Sequence, residues 1–219
     1  MSKKIGIVSE GVSDYRVLQH IALRYLKLRE DEDFYTIRLN PKEEKNKQQG
    51  FSGWQGVFKY ISGEDQQNLI VEAIKEECEY VIVQIDTDVC EQYDVKHDLS
   101  NIEQLWTNVC QKLSDSVHKD FDKSKLIFAI CIDELECWLI PFVDTDERRC
   151  QNMDRCLNIV NNDLHKKGYY IDKDNKNSMG AQSAYEHIIK QKKKPKEILE
   201  CSKFNYGFRK FIEQLDSIK

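Results

Sequence analysis

The stretch that decides the fold is YVIVQIDTD, residues 80–88. Apart from Gln84, its first six residues are apolar, which is typical of a strand buried on both faces. The run then ends in two aspartates, Asp86 and Asp88, one residue apart. Buried strands that alternate with helices form parallel sheets, and ligands bind at the carboxyl ends of such strands. The stretch therefore predicts a central parallel strand with a site at its end.

Two further apolar runs also end in acidic residues. KIGIVSEG (residues 4–11) contains Glu10, and KLIFAICI (residues 125–132) is followed by DELE (residues 133–136). Carboxylates gathered at one edge of a sheet repel one another unless a proton or a cation compensates. Because Mg²⁺ prefers oxygen ligands and keeps several waters, we expect a divalent-metal site with Mg²⁺ or Mn²⁺ as cofactor.

The acidic residues have alternative interpretations. Asp86 and Asp88 point to the same face if the strand stays extended, and could then hold one ion, but Asp is also common in turns and caps. Glu10 is either a metal ligand, a proton-transfer group or a surface loop residue. Glu134 and Glu136 share a face only in extended chain, so at most one of them is expected to contact the ion directly.

The remaining pattern alternates strands and helices and then becomes helical. Apolar spacing predicts a helix over 15–28 that is capped by Ser13 or Asp14. Asp133 is equally a candidate N-cap for the helix through Trp138. We expect an α/β core over residues 1–144, with a helical extension over 145–219 packed on it. Further predicted elements are a strand over 33–39, a glycine-rich turn over 50–56, and helices over 57–61, 67–77, 102–113, 148–165, 181–193 and 203–218.

Composition excludes some classes of protein. A formal net charge of -5 over 219 residues argues against a histone-like polycation, but not against a local basic face. Eight cysteines without any Cys-x-x-Cys pair predict reduced thiols rather than a disulfide framework or a zinc site. No apolar run approaches the ~20 residues of a membrane span, and no signal peptide is apparent, so we expect a cytoplasmic protein without membrane partners.

A basic run follows the predicted helix over 181–193. Lysines at a helix C-terminus are often just solvated and favourable to the helix dipole. A nucleic-acid substrate would nevertheless require cations for its phosphates, and Arg209 and Lys210 are further candidates. The candidate nucleic-acid-binding residues in the run are Lys190, Lys192, Lys193, Lys194 and Lys196.

The ordered acidic motifs resemble the TOPRIM domain of topoisomerases, bacterial primases and OLD-type nucleases. In that domain, as here, a motif like EGVSD (residues 10–14) precedes a helix and an Asp-x-Asp motif like DTD (86–88) ends a later strand. ELECWL (134–139) is similar to a Glu-x-Glu-x-Trp-Leu pattern in small stand-alone TOPRIM-like proteins of bacteria, many of them associated with phage defence. GWQG (53–56) and Cys201-x-x-Phe204 also match those relatives.

The resemblance implies a TOPRIM-like, Rossmann-like, mostly parallel sheet flanked by helices. It also implies a Mg²⁺-dependent nuclease that cleaves DNA or RNA as an antiviral-defence effector. An ATPase domain of the kind fused to OLD nucleases is not recognisable, so energy-dependent or sensing steps would need a separate ATPase or sensor protein. A homodimer is compatible with the sequence. The implied catalytic residues are Glu10, Asp14 and Glu136, and the implied metal ligands are Glu10, Asp86, Asp88 and Glu134.

A second hypothesis comes from a different functional class. The same motifs could belong to a non-catalytic TOPRIM-like subunit that binds or regulates other members of a defence complex. Fold alone does not decide between the two, because one fold hosts many functions. Walker, Gly-x-Gly-x-x-Gly, Gly-x-Ser-x-Gly and His-Glu-x-x-His motifs are absent from the sequence, which argues against the usual NTPases, dinucleotide-binding enzymes, serine hydrolases and zinc proteases.

Overall fold

Four parallel strands form the centre of the protein. The computed structural model describes residues 3–27, 34–39, 53–63, 73, 76–176 and 178–219. Within these residues the sheet order is β2-β1-β3-β4, and every neighbouring pair is parallel. The predicted parallel sheet is therefore confirmed. The strands are β1 Lys3–Val8, β2 Phe34–Arg38, β3 Cys78–Asp86 and β4 Leu126–Cys131.

The strand order creates a crevice between β1 and β3. From β1 the chain passes first to β2 on one side and later to β3 on the other. At such a switch point the connections leave the carboxyl ends of two adjacent strands in opposite directions, and ligands bind in the gap. Glu10 follows β1 and Asp86 ends β3, so both lie at this gap.

Helices flank the sheet. The short elements include 3-10 turns at Cys90–Tyr93, Lys123–Lys125 and Lys173–Asn175. The α-helices in the described ranges are α1 Val12–Tyr25, α2 Trp54–Ser62, α3 Ile102–Ser116, α4 Glu136–Val143, α5 Glu147–Cys150, α6 Cys156–His165, α7 Met179–Ile189, α8 Pro195–Ser202 and α9 Tyr206–Asp216.

Both faces of the sheet are covered by apolar residues. Side chains alternate along a strand, so Ile82 points into one layer while Val81 and Val83 point into the other. The first layer contains residues of α1, α4 and the C-terminal helices, and the second contains residues of α2 and α3. This two-sided burial explains why β3 is almost continuously apolar.

The C-terminal helices pack directly on the α/β core. Phe208 and Phe211 of α9 stack on Trp138 of α4, with ring centroids 4.8 and 5.6 Å away. The Gln214 side chain pairs with strand β4: its Nε2 donates to the Phe128 carbonyl at 2.9 Å, and its Oε1 accepts the Phe128 N–H at 2.8 Å. An amide side chain thereby satisfies backbone groups that an edge strand would leave unpaired.

Several predicted helix boundaries differ from the structure. The helix expected over 15–28 begins at Val12, and its N-cap is Gly11 rather than Ser13 or Asp14. The helical stretch expected over 148–165 is divided between α5, which ends at Cys150, and α6, whose N-cap Arg155 has a left-handed backbone with φ 54. Helix α8 was not expected, and the predicted helix over 67–77 lies mostly outside the described residues.

Asp133 is not the N-cap of the helix through Trp138. That position is taken by Leu135, and Asp133 itself has a left-handed backbone with φ 64. Its carbonyl accepts the backbone N–H groups of Thr87 and Asp88, both at 3.0 Å. Asp133 therefore joins the ends of β3 and β4 instead of capping a helix.

The expectation of uniformly reduced cysteines is wrong for one pair. Cys137 and Cys156 form a disulfide, with Cα atoms 4.9 Å apart, within the normal range for such bonds. The two cysteines are 19 positions apart in the chain. That spacing alone does not indicate that α4 and α6 pack together. The other six cysteines are free. None of the described helices is long and apolar enough to cross a bilayer.

Replacing Gly207 tests the contact between α9 and the sheet. A β-carbon at this position would collide with the Ile130 carbonyl oxygen of β4. We expect Gly207→Ala to lower the free energy of unfolding by about 1–3 kcal/mol, because the helix must move away from the strand. Urea denaturation measures the change. Gly180→Ala is the matched control: nothing lies within 4 Å of its added methyl, so it should be neutral or stabilising. Equal losses in both variants would contradict this account.

Candidate active site

A cavity of ≈ 350 Å³ opens at the carboxyl edge of the sheet. It collects side chains that follow β1, β3 and β4, together with two lysines from the segment before α7. The predicted convergence of the three acidic strand ends is thus what the structure shows. The lining residues are Glu10, Gly11, Ser13, Asp14, Asp86, Asp88, Val89, Glu134, Lys173 and Lys176.

Hydrogen bonds fix Glu10 against Asp86 across the β1–β3 gap. Oε1 of Glu10 accepts the backbone N–H of Asp86 at 2.8 Å. Gln84, which is fully buried, accepts the Glu10 N–H at 2.9 Å and donates from Nε2 to Asp86 Oδ1 at 2.8 Å. The Asp86 N–H therefore orients the Glu10 carboxylate, and the Gln84 amide orients the Asp86 carboxylate at the cavity.

The turn after β3 is braced by β4. Thr87 is fully buried, and its Oγ1 accepts the Asp133 N–H at 2.8 Å. Strand β3 ends at Asp86, so Asp88 lies in a turn instead of in the extended chain expected from the sequence. Both aspartates nevertheless line the cavity, since the Asp88 N–H is held by the Asp133 carbonyl.

The glycine–tryptophan motif adjoins the same site. Gly53 donates its N–H to the Glu10 carbonyl at 3.1 Å and has a φ of 78, a left-handed value that favours glycine. A β-carbon there would lie 3.6 Å from Glu10 Oε2. Trp54 then begins α2, and its ring packs against Tyr93, whose hydroxyl donates to the Asp86 carbonyl at 3.0 Å. The motif therefore contacts Glu10 directly, and it contacts Asp86 through the Tyr93 ring.

Glu134 and Glu136 occupy different positions. Glu134 lines the cavity, and its Oε1 accepts the Leu157 N–H of α6 at 2.8 Å. Glu136 is only 1% exposed and is not among the lining residues; Tyr185 of α7 donates its hydroxyl to it. Of the two, Glu134 is therefore the one placed to contact a ligand directly.

Lys176 brings a positive charge into the acidic cluster. Its Nζ lies 2.8 Å from Glu136 Oε1 and 3.5 Å from Glu134 Oε2. Burial by itself lowers the pKa of Lys176, but the charges of the surrounding carboxylates outweigh burial and raise that pKa above its ordinary value. The backbone holds the lysine in place, because the Ser13 hydroxyl donates to the Lys176 carbonyl at 2.9 Å.

The carboxylates at the cavity are hard to ionise together. Burial, followed by the charges of Asp14 and Asp88, raises the pKa of Glu10 to about 8, although the Asp86 N–H opposes the shift. Burial and the charge of Glu10 raise the pKa of Asp86 well above its usual range. Burial also raises the pKa of Asp88 and of Glu134. A further cation would relieve this repulsion.

The cavity's donor atoms are of the kind that a hard divalent ion prefers. Glu10, Asp86, Asp88 and Glu134 bring carboxylate oxygens from three strand ends to one cavity, although they are not among the described ligand atoms that lie within 4.8 Å of one another. Glu136 Oε2 is buried and accepts no hydrogen bond from any described residue. A second donor group is formed by Asp133, Cys137 and Cys156, but its two sulfurs are bonded to each other and do not offer thiolates.

The basic run over 190–196 is not at the cavity. It follows the C-terminal end of α7, whereas Lys176 comes just before that helix begins. A helix of 11 residues is about 16 Å long. The Lys192 carbonyl instead lies 2.9 Å from His20 Nε2 on α1. Lys190, Lys193, Lys194, Lys196, Arg209 and Lys210 are likewise absent from the lining residues.

Three residues of the site were missed by the sequence analysis. Gln84 had a local signal, since it is the one polar residue within an apolar run. Lys176 and Tyr185 had none, because both come from the helical part and reach the acidic cluster only through packing. Comparison with family models, with curated proteins and with solved structures finds no match to this chain.

The raised carboxyl pKa values predict an unusual pH dependence of stability. Between pH 4.5 and about 8 the folded protein holds a proton on Glu10 that the unfolded chain has released. The free energy of unfolding should therefore fall as pH rises through this window, by about 3 kcal/mol between pH 5.5 and 8, and remain low above it. Thermal melts in EDTA from pH 5.5 to 8 measure the trend.

Two comparisons test the cause of this trend. Glu10→Gln should flatten the slope, because glutamine does not titrate, and millimolar Mg²⁺ should restore stability at pH 8 in the wild type. An unchanged slope in Glu10→Gln would show that other groups are responsible.

The ion pair of Lys176 predicts a double-mutant result. Lys176→Met leaves Glu136 buried without its cation, and we expect a loss of about 2 kcal/mol. Adding Glu136→Gln removes the unpaired charge, so the double variant should lose less than the sum of the single losses. Urea denaturation measures all three. Lys173→Met, at an exposed lysine nearby, is the control and should change stability little. Additive losses would argue against the pair.

Proposed function

We propose that the protein is a Mg²⁺-dependent nuclease that cleaves phosphodiester bonds in DNA or RNA. The observation that carries the proposal is the meeting of Glu10, Asp86, Asp88 and Glu134 around one cavity at the β1–β3 gap. This is a site with oxygen donors for a divalent ion, in the place where open parallel sheets bind ligands. Its resemblance to TOPRIM domains adds support, and that resemblance is the basis for a role in antiviral defence.

Each residue has a task in this proposal. Glu10, Asp86, Asp88 and Glu134 would hold the ion, which when bound supplies Lewis-acid stabilisation of a phosphodiester. Lys176 lines the cavity and would donate to a phosphate oxygen of the substrate.

Glu136 and Tyr185 would position Lys176 rather than contact substrate. Glu136 is buried, and the Tyr185 hydroxyl donates to it, so the carboxylate that pairs with Lys176 is itself held in place. Burial also raises the pKa of Tyr185 well above its usual range, which keeps this hydroxyl protonated as a donor. Asp14 lines the cavity and could accept a proton during the reaction.

Cleavage assays with matched variants test the proposal. Purified protein is incubated with plasmid DNA, with total RNA and with a short single strand, in Mg²⁺, Mn²⁺ or EDTA. We expect metal-dependent cleavage, and at least a roughly 100-fold loss in Asp86→Asn and in Glu10→Gln. Asp115→Asn, an exposed aspartate in the last turn of α3, should keep wild-type activity. Undiminished cleavage in both site variants would refute the assignment.

One observation favours a second candidate function. Lys176 already neutralises part of the acidic cluster, so less of its negative charge is left for a metal ion to compensate. This would suit a non-catalytic subunit that binds or regulates partner proteins in a defence complex, and such a complex could supply a separate ATPase or sensor. Isothermal titration with Mg²⁺ and Mn²⁺ separates the two candidates. The second predicts no binding at millimolar concentration and no cleavage; the first predicts both.

A further inference from the structure

The segment over residues 166–176 joins α6 to the cavity and is fixed at its centre. The Ile171 N–H donates to Asn161 Oδ1 at 2.9 Å, and Asn161 Nδ2 donates to the Ile171 carbonyl at 2.9 Å. Ile171 is fully buried and Asn161 nearly so. Because this anchor holds the backbone, the residues before and after Ile171 have defined positions on the surface.

Two aromatic side chains precede the anchor. Tyr170 is 52% exposed, and its ring lies 5.1 Å from that of His165. The ring of Tyr169 stacks on His187, the two centroids 4.4 Å apart. Few large hydrophobic side chains in the described ranges are this exposed, and another, Met179 at 85%, comes just after the segment. The segment therefore offers an accessible ring face to solvent.

In the chain, lysines lie on both sides of these two rings. Lys167 comes two residues before Tyr169. Burial lowers the pKa of His187, and the charges of Lys167 and Lys190 lower it further. After the anchor, Lys173 and Lys176 line the cavity.

Acidic residues on the segment offset these cations only in part. Lys166 pairs with Asp163 at 3.0 Å, but neither Lys167 nor Lys173 makes an ion pair with a described residue. Asp172 and Asp174 are the acidic groups within the segment, and one Asp172 oxygen accepts the Asp174 N–H at 3.1 Å. Residues 166–176 therefore contain four lysines but only two aspartates.

We propose that residues 166–176, together with His187, bind a single strand of nucleic acid and lead it into the acidic cavity. Tyr170 stacks on a base, while Lys167 and Lys173 contact phosphates on either side. Tyr170 and Lys173 are three positions apart in the chain, so their Cα atoms lie at most about 10 Å apart, close enough for one strand to reach both the ring and the cavity. A ring platform favours a single strand, because the bases of a duplex have no free face. The inference rests on the proposed nuclease function.

Binding measured without cleavage tests the inference. Fluorescence anisotropy in EDTA compares a labelled single strand of mixed sequence with the matching duplex. Tyr170→Ala should weaken single-strand binding about tenfold and duplex binding less than twofold, and Tyr170→Phe should restore the wild-type value. Lys173→Ala should weaken both and reduce the salt slope by about 0.7 for the single strand. Lys123→Ala, an exposed lysine at the amino end of β4, is the matched control and should change nothing.

The outcomes separate this inference from the nuclease assignment. Single-strand binding that is absent in the wild type, or unaffected by Tyr170→Ala in a variant with a normal melting temperature, overturns the inference even if cleavage is observed. Hydrolysis of bis(p-nitrophenyl) phosphate, which has one phosphate and no strand to lie along the segment, is measured separately with Mg²⁺. Normal hydrolysis in Tyr170→Ala with weakened strand binding supports the inference. Tyrosine-dependent binding without any hydrolysis supports the strand-binding segment and refutes the nuclease.

Discussion

Repulsion among the carboxylates at the ends of β1, β3 and β4 is the constraint on which the rest of the site depends. Several acidic groups share one cavity, and burial together with mutual repulsion raises the pKa of Glu10 and of Asp86. The protein stabilises this arrangement with specific partners: the Asp86 N–H for Glu10, the Gln84 amide for Asp86, and the Lys176 ammonium for Glu134 and Glu136. What remains is a negative site that a divalent cation would stabilise further.

The helical part contributes to the chemistry as well as to the core. Helix α9 covers the sheet and pairs a glutamine with edge strand β4, whereas the segment before α7 delivers Lys176 to the acidic groups. Tyr185 on α7 completes the surroundings of Glu136. A boundary at residue 144 separates an α/β sequence pattern from a helical one, but the site uses residues from both sides of it. Removing the helical part would take away the internal cation.

The proposed nuclease function is supported by structural observations and by a sequence resemblance. The cavity, its oxygen donors and its position at the switch point are structural observations. Substrate and biological role rest on the resemblance of the acidic motifs to TOPRIM domains and on the distribution of lysines around the cavity. The exposed ring of Tyr170 and the charge of Lys173, which makes no ion pair with a described residue, would give a polyanion a route toward the acidic groups that otherwise repel it.

The sequence by itself determined the parallel sheet and the acidic strand ends, because both are local: an apolar run predicts a buried strand, and parallel strands bring their carboxyl ends to one edge. Glu10, Asp86 and Asp88, together with either Glu134 or Glu136, could therefore be predicted as neighbours. Only the tertiary structure decided that Glu136 is buried behind Lys176, that Cys137 bonds to Cys156, and that the basic run after α7 lies away from the cavity. These facts depend on how helices distant in the chain pack against the sheet, and no local spacing encodes that packing.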